Sequence, residues 1–188
     1  QGAFPNQKIH FDDSLNYFLS LVPICSREFY RLLKEDAHLY IFCAIENFPI
    51  WKKNLEEVGF HVRIQPLVWI KERGGLTNFE MNFMPTWEAI LFAQKGAKVL
   101  NNPSSDVFQY SRPPKEDLLV NTQKPISLLK KLIELSSEKK DIVLDPFAGS
   151  GSTIAASILM NRIGIGIELN DETVNIARFV CMKTEKGI

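Results

Sequence analysis

The chain has 188 residues, of which 45% are hydrophobic and 23% are charged. This composition is that of an ordinary globular protein and argues against disorder, and the length is sufficient for one domain with a real core, or for a large piece of one. Lysine plus arginine and aspartate plus glutamate are equal at 22 each, so the net charge points to neither a nucleic-acid nor a membrane partner.

The first predicted element is a helix that Asp12 or Asp13 can cap, because apolar residues recur at helical spacing between positions 15 and 22. Pro23 is expected to kink or restart this helix. The run HLYIFCAI, residues 38–45, is continuously apolar and typical of a strand buried on both faces.

The middle of the chain is predicted to hold one helix and two strands. Asn47 and Pro49 have the character of a helix start, and Gly59 ends that helix after residues 51–58. Residues 60–71 are predicted to form a strand, part of which should be an edge or a bulge because it contains Pro66. After a polar loop, TWEAILFAQKG contains a strand at residues 87–96, and residues 97–122 are irregular.

The last third alternates between helix and strand. The pattern predicts helices at 125–137, 151–160 and 171–182, and strands at 142–145 and 163–169. Over the whole chain this alternation predicts a layered α/β fold with a mostly parallel sheet.

Cysteine spacing and the chain start limit the class of protein. The three cysteines are widely spaced and form no Cys-x-x-Cys or Cys/His cluster, which argues against a zinc site and a disulfide framework. No secretory signal or membrane-length apolar run is present, so we predict an intracellular, cytoplasmic, soluble protein. The start at Gln1 without an initiator methionine leaves open that the chain is a fragment.

The segment DIVLDPFAGSGSTIAA, residues 141–156, carries the strongest functional signal. A strand ends at Asp145, a glycine-rich turn follows, and a helix begins, which aims free backbone N–H groups at a ligand. About twenty residues later a second strand ends near Glu168, where dinucleotide-type folds place a carboxylate for ribose hydroxyls.

Three kinds of ligand could bind such a turn. GSGST lacks the lysine of a nucleoside-triphosphate loop, and the third glycine of a dinucleotide fingerprint is missing. S-adenosylmethionine needs a ribose carboxylate and an acidic group near its amine, without a diphosphate cradle, and Asp145 and Glu168 suit it. A tight strand-to-helix turn with a capping serine is the alternative without a ligand.

DPFAGSGST closely resembles a motif of the DNA amino-methyltransferases, which methylate adenine N6 or cytosine N4 and share a pattern of roughly D-P-F-x-G-S-G-T. QKP before an amphipathic helix, NRIGIGIEL, and the strands LYIFCA, LVWIK and TWEAILFAQKG are similar to further segments of that family, in the same order. The resemblance covers nearly the whole chain.

The resemblance implies a single methyltransferase domain over residues 1–188. Its fold would be the class I S-adenosylmethionine-dependent, Rossmann-like three-layer α/β sandwich. It would be circularly permuted, with the catalytic half before the cofactor half. The implied cofactor is S-adenosylmethionine, the partner is double-stranded DNA, and no metal or membrane is involved. The implied setting is restriction-modification, although the biological role and the oligomeric state stay open.

The resemblance also implies a set of cofactor-binding residues. Lys124 would lie near the methionine carboxylate, and Phe147 would pack on the adenine ring, with a core role for Phe147 as the alternative. The complete implied set is Lys124, Asp145, Pro146, Phe147, Gly149, Ser150, Gly151 and Glu168.

No catalytic residue is assigned. Family members carry an Asp/Asn-Pro-Pro-aromatic tetrapeptide, whose oxygens accept the protons of the target amine and whose ring stacks on the flipped base. The sequence contains no such tetrapeptide, and NFPI at residues 47–50 reads better as a helix start. We therefore expect the catalytic segment to be missing from an N-terminally incomplete chain. A non-catalytic relative that binds cofactor, DNA or a partner protein is the alternative.

Two segments are candidates for DNA contact. Phe79, Phe83 and Trp87, near Arg73 and Lys71, either meet DNA or pack on the core, and the core is the favoured interpretation.

Residues 97–122 lie where the family places its target-recognition region, and Arg112 and Lys115 either touch phosphate or belong to a solvated loop. His10, His38 and His61 are isolated and receive no role.

Overall fold

A computed structural model describes residues 14–71, 83–113, 119 and 123–187. It contains five α-helices in this part of the chain: α1 Leu15–Leu32, α2 Phe48–Glu57, α3 Ile126–Ser136, α4 Ser152–Leu159 and α5 Asp171–Lys186. The seven strands there are β1 Ala37–Cys43, β2 His61–Val62, β3 Leu67–Ile70, β4 Trp87–Lys95, β5 Val107–Gln109, β6 Ile142–Asp145 and β7 Ile163–Gly166. None of the helices in these ranges has the length and apolar character needed to cross a membrane.

Helix α1 is continuous where a kink or restart was predicted. It runs through Pro23, and its N-cap is Ser14, whose Oγ accepts a hydrogen bond from the backbone N–H of Tyr17. Pro23 removes the donor that the carbonyl of Leu19 would receive in a regular helix. Leu19 is exposed, so water can hydrate that carbonyl and the helix continues. The predicted caps Asp12 and Asp13 lie outside the described residues.

The first sheet is mixed, so the expectation of a mostly parallel sheet is wrong here. Its strand order is β1-β4-β3-β5, with β2 also paired to β4. Strand β4 runs antiparallel to β1, β2 and β3, whereas β3 and β5 are parallel. The prediction rested on the overall alternation of helices and strands, but a loop and no helix separates β3 from β4 in the sequence pattern, and strands joined without a helix can pair antiparallel.

Strand β1 is less buried than predicted. Only Ala37 is fully buried, and the other six residues are half-buried. The reason is its position: among the described strands β1 pairs with β4 alone, so its second edge is open. The predicted strand at 60–71 is divided into β2 and β3 around Pro66, in agreement with the expected interruption.

Among the described strands, the second sheet consists of β6 and β7, which are parallel, with Ile142 opposite Ile163 and Leu144 opposite Ile165. One face packs on α4, because a Cβ added at Gly164 or Gly166 would lie 3.0 Å from Ile154. The absence of side chains there lets helix and sheet approach closely. The four aliphatic residues on the other face, which we call the open apolar face, are between 38% and 65% exposed.

Three apolar clusters hold the layers together. One joins α1 and α2 to the first sheet around Val22, Trp51 and Leu91. The second packs α3 on that sheet through Trp69, Ile90 and Leu128. The third, around Leu129, Ile133 and Ala156, joins α3 to α4 and brings in Phe42 and Val143, one residue from each sheet. Helix α3 is therefore the element that links the two sheets.

The direction of α3 shows which of its ends lies at which edge of the second sheet. At its C-terminal end Arg162, just before β7, donates hydrogen bonds to the carbonyl and Oγ of Ser137. The C-terminus of α3 thus lies at the start of β7, and its N-terminus lies toward the carboxyl ends of β6 and β7. Near the start of β1, Lys34 forms an ion pair with Asp141, which precedes β6, at 3.0 Å.

Candidate cofactor site

The glycine loop connects β6 to α4 at the carboxyl edge of the second sheet. Gly149 has φ +52° and Gly151 has φ +78°, both in the left-handed region that favours glycine. A Cβ on Gly151 would lie 3.0 Å from the Cα of Ala177 in α5, so this glycine is required for packing. A Cβ on Gly149 would meet nothing closer than the carbonyl oxygen of Phe147 at 3.9 Å, so Gly149 faces open space.

Glu168 supports this loop directly. Its Oε2 accepts a hydrogen bond from the backbone N–H of Gly149 at 2.9 Å, and its Oε1 accepts one from Asn170 at 2.9 Å. The carboxylate is half-buried and lies beside the open side of the loop. The predicted juxtaposition of the glycine loop with the acidic end of the next strand is present.

Asp145 forms the other side of the turn. Its Oδ1 accepts the backbone N–H of Phe147 at 3.1 Å, an Asx-type contact that bends the chain after the strand. Pro146, next in the chain, is half-buried. The ring of Phe147 is 59% exposed. A core role for Phe147 is therefore excluded, and the ring is available to a ligand.

The serines of the loop face inward. Ser150 is 4% exposed and Ser152 is 5% exposed, and their hydroxyl oxygens lie 2.8 Å apart. One hydroxyl donates to the other, so both buried oxygens take part in a hydrogen bond, as buried hydroxyl groups generally require. Ser150 and Gly151 are thus packed inside the protein, whereas Phe147 is exposed and a side chain at Gly149, next to Glu168, would meet open space.

Lys124 takes part in a group of charges that the sequence analysis did not identify. Its Nζ lies 2.8 Å from Oε2 of Glu88, whose Oε1 lies 2.9 Å from Nζ of Lys71. We call these three residues the charge triad. Lys124 precedes α3, Glu88 lies near the start of β4, and Lys71 follows β3, so the triad lies at the same molecular edge as the glycine loop.

Two aromatic rings lie under the triad. The Lys124 ammonium is 5.2 Å from the centre of the Phe42 ring and 5.7 Å from that of Trp69, and Lys71 is 5.7 Å from Trp69. Trp69 is only 1% exposed and donates its indole N–H to the carbonyl of Tyr110. The rings hold the cations through cation–π attraction and limit where they can move.

Glu88 is charged in this setting. Burial by itself would raise its pKa, but hydrogen bonds and charge attraction from Lys124 and Lys71 outweigh burial, so its pKa lies below the ordinary 4.5. A sequence signal for this residue existed: a glutamate inside the otherwise apolar strand TWEAILFAQK must find a partner if it is buried. Which lysines would provide that partner depended on the sheet order.

The other residues considered in the sequence analysis do not form part of this site. Phe83 is 95% exposed and Trp87 is 44% exposed, so the expectation that these aromatics pack on the core is wrong for both; Phe79, Arg73 and Lys115 lie outside the described residues. His38 lies at the opposite edge, where its Nδ1 is 2.7 Å from the Ser136 hydroxyl. No group of metal-binding side chains occurs within the ranges the structure describes.

Sequence comparison places the chain in a family. A profile of the DNA methylase family that acts at N6 and N4 matches residues 5–179, so the chain belongs to this family. It is 31% identical over 192 residues to the Type II methyltransferase M.HpaI of Haemophilus parainfluenzae, covering 89% of this chain and 61% of the relative. It is 47% identical over 190 residues to M.HinfI of Haemophilus influenzae, covering 88% and 52%. The chain thus spans little more than half the length of these relatives.

Comparison with solved structures confirms the class I methyltransferase fold. The crystal structure of an M1.HpyAVI–SAM complex superposes with a TM-score of 0.76 at 28% identity, over 90% of this chain and 84% of that chain. The cytosine-N4-specific PvuII DNA methyltransferase superposes with a TM-score of 0.68 at 15% identity, which supports the fold alone. The fold predicted from the resemblance is therefore confirmed.

Proposed function

We propose that the glycine loop binds S-adenosylmethionine and that the chain belongs to an enzyme that methylates adenine N6 or cytosine N4 in double-stranded DNA. The observation that carries this proposal is the pairing of the open side of Gly149 with the carboxylate of Glu168, 2.9 Å from its backbone nitrogen. The family membership and the fold support it.

The chemistry of the loop fits this cofactor better than a dinucleotide. Asp145 and Glu168 each accept a backbone N–H of the loop, and two carboxylates at this place would repel a diphosphate. They suit a ligand with a ribose diol, an ammonium and a sulfonium. Phe147, whose ring is exposed, offers an apolar surface for the adenine ring. Lys124 would hold the methionine carboxylate.

When bound, the cofactor supplies an electrophilic methyl group on its sulfonium. The role of this chain is then to hold that methyl group in line with the target amine, which contributes through proximity and orientation. The amine also needs oxygen acceptors for its protons, and the Asp/Asn-Pro-Pro-aromatic tetrapeptide of the family does not occur in the sequence. No described residue is assigned that role.

Calorimetric titration with S-adenosylmethionine tests the site. Glu168→Ala should lower the affinity by about tenfold or more, since a charge-assisted contact of about 1.4 kcal/mol or above is lost. Glu172→Ala is the matched control, because this exposed carboxylate lies nearby in the first turn of α5. Equal effects of the two substitutions would contradict the assignment. Addition of EDTA should leave the affinity of the wild-type chain unchanged.

Mass spectrometry of nucleosides tests the reaction. Unmethylated DNA is incubated with the chain and S-adenosylmethionine, and the products are examined for N6-methyladenine and N4-methylcytosine. Either product identifies the base. Cofactor binding without any methylated base would favour the alternative, a relative that keeps the fold and binds without catalysis. The cytoplasmic location that the sequence predicts is part of the proposal.

A further inference from the structure

The charge triad contains one more positive charge than it contains negative charges. Glu88 bridges the two lysines with one oxygen each, at 2.9 Å to Lys71 and 2.8 Å to Lys124. Two ammonium groups against one carboxylate leave a net charge of one positive unit. A cluster of this kind attracts an anion to the edge where it lies.

The two lysines are not equivalent. The side chain of Lys71 is 8% exposed and that of Lys124 is 25% exposed. The side chain of Lys124 is therefore more accessible to a ligand from solvent than the side chain of Lys71. Because a buried ammonium must be paired, Lys71 is committed to Glu88.

We propose that Lys71 and Glu88 are positioning residues for Lys124 at the cofactor site. Glu88 fixes the Lys124 ammonium above the rings of Phe42 and Trp69. Lys71 cancels the charge of Glu88, so that Lys124 presents an uncompensated positive charge to the carboxylate of S-adenosylmethionine. This inference rests on the proposed function, and it assigns roles to two residues outside the predicted site.

Without Lys71, the pair of Lys124 and Glu88 would be neutral. The Glu88 carboxylate would then neutralise the Lys124 ammonium, and the carboxylate of the ligand would have to compete with Glu88 for it. Removing the charge of Glu88 as well returns the cluster to one positive unit. The two substitutions should therefore compensate each other in carboxylate recognition.

A pair of ligands isolates this recognition. S-adenosylmethionine and decarboxylated S-adenosylmethionine share the adenosine, the sulfonium and the amine and differ only in the carboxylate. The affinities of both are measured by calorimetry for the wild-type chain, Lys124→Met, Lys71→Met and the double variant Lys71→Met/Glu88→Gln. Circular dichroism melting confirms that each variant is folded.

The expected result is selective. Lys124→Met and Lys71→Met should each lower the affinity for S-adenosylmethionine by about tenfold. The affinity for decarboxylated S-adenosylmethionine should change by less than about twofold. The double variant should recover most of the S-adenosylmethionine affinity that Lys71→Met loses, and a residual loss of about threefold is expected because Glu88 no longer positions the Lys124 ammonium. This recovery is a readout that a merely structural role of Lys71 would not produce.

Lys95→Met is the matched control. Lys95 is also a largely buried lysine, 14% exposed, with its ammonium 4.3 Å from the Tyr30 ring. It lies at the opposite edge, since it is the register partner of Ala37 at the start of β1. Its substitution should not change the ratio of the two affinities.

Two outcomes would overturn the inference. If Lys71→Met lowers the affinities for both ligands equally, Lys71 acts by maintaining the fold and not by carboxylate recognition. If the wild-type chain binds the two ligands with the same affinity, no carboxylate is recognised, and the proposed cofactor site stands without the triad. Failure of the wild-type chain to bind either ligand would refute the proposed function itself.

Discussion

The two positive-φ glycines of the loop have different reasons to be glycine. Gly151 has no room for a side chain because of Ala177, whereas Gly149 has room but faces the proposed ligand. Sequence inspection treats them alike, since both appear in GSGST. Only the packing of α5 against the loop separates a glycine needed for folding from one needed for binding.

Substitution of Gly149 tests this distinction. Gly149→Asn should reduce S-adenosylmethionine affinity by at least about tenfold, because the new side chain enters the opening. The melting temperature should change little, because asparagine tolerates the left-handed region. Calorimetry and thermal melting measure the two effects.

Two comparison variants complete the experiment. Gly187→Asn controls for backbone strain, since Gly187 has φ +69° and nothing lies within 4 Å of an added Cβ. Gly151→Ala should instead destabilise the fold by about 1–3 kcal/mol through overpacking. Unfolding by Gly149→Asn, or unchanged binding, would show that the opening is not a ligand site.

The residues that form the turn could be predicted from the sequence, whereas the residues that pair with Lys124 from distant segments could not. The turn after Asp145 and its closeness to Glu168 were predictable because strand ends and glycines are visible in the sequence. The partners of Lys124 were missed because Lys71 follows β3 and Glu88 lies in β4, and these two residues meet through an antiparallel pairing that the sequence pattern did not predict.

At the scale of single elements, β1 carries a titratable group in its interior. Nδ1 of His38 lies 2.7 Å from the hydroxyl of Ser136, and its Nε2 lies 3.0 Å from the carbonyl oxygen of Lys98. The carbonyl can only accept, so Nε2–H donates and neutral Nδ1 accepts from Ser136. Burial lowers the pKa of His38 below 6.5, and the backbone hydrogen bond offsets only part of this.

This histidine makes the stability of the chain depend on pH. Because its pKa is lower in the folded state, the unfolded chain binds more protons between the two pKa values, and stability rises with pH in that window. The contribution is complete above 6.5, the ordinary value, and is lost as the pH falls toward the folded pKa.

Urea unfolding measures this dependence. The free energy of unfolding of the wild-type chain should fall between pH 7.5 and pH 5.5, and His38→Gln should show a smaller fall. Identical pH dependence of the two proteins would mean that another group is responsible.

Element bounds were predicted well where the chain alternates simply. The observed β6 coincides with the predicted strand, and α3, α4 and α5 begin within one residue of the predicted helices. The errors concern the antiparallel direction of β4, the burial of β1, and the strand β5 inside residues 97–122, which were predicted to be irregular. Each of these depends on contacts between distant segments, which periodicity along the chain does not contain. The helix restart predicted at Pro23 is also wrong, for the local reason that water can hydrate the carbonyl of Leu19.

At the scale of the whole molecule, the open apolar face is an unusual surface. Parallel strands are normally covered on both faces, but the face formed by Ile142, Leu144, Ile163 and Ile165 is not covered by any described element. Such a contiguous patch promotes association.

The isolated chain should therefore self-associate at high concentration. Ile163→Lys should weaken this association by about tenfold or more, because it removes an apolar contact of about 1.5–3 kcal/mol and introduces a charge. Sedimentation velocity over a range of concentrations measures it. Ile64→Lys is the control, since Ile64 is 81% exposed but lies between β2 and β3 in the first sheet. A monomer at all concentrations, or equal effects of both substitutions, would contradict this.

The division of the strands into two sheets has a consequence for thermodynamic linkage. The glycine loop belongs to the second sheet, whereas Lys124 is tied through Glu88 to the first. A ligand that contacts both would hold the two sheets in one arrangement and would bind poorly once either had melted. Occupancy at one hundred times the dissociation constant would then add about 2.7 kcal/mol to the unfolding free energy. A shift of this size in a single cooperative transition would report that both sheets unfold as one unit.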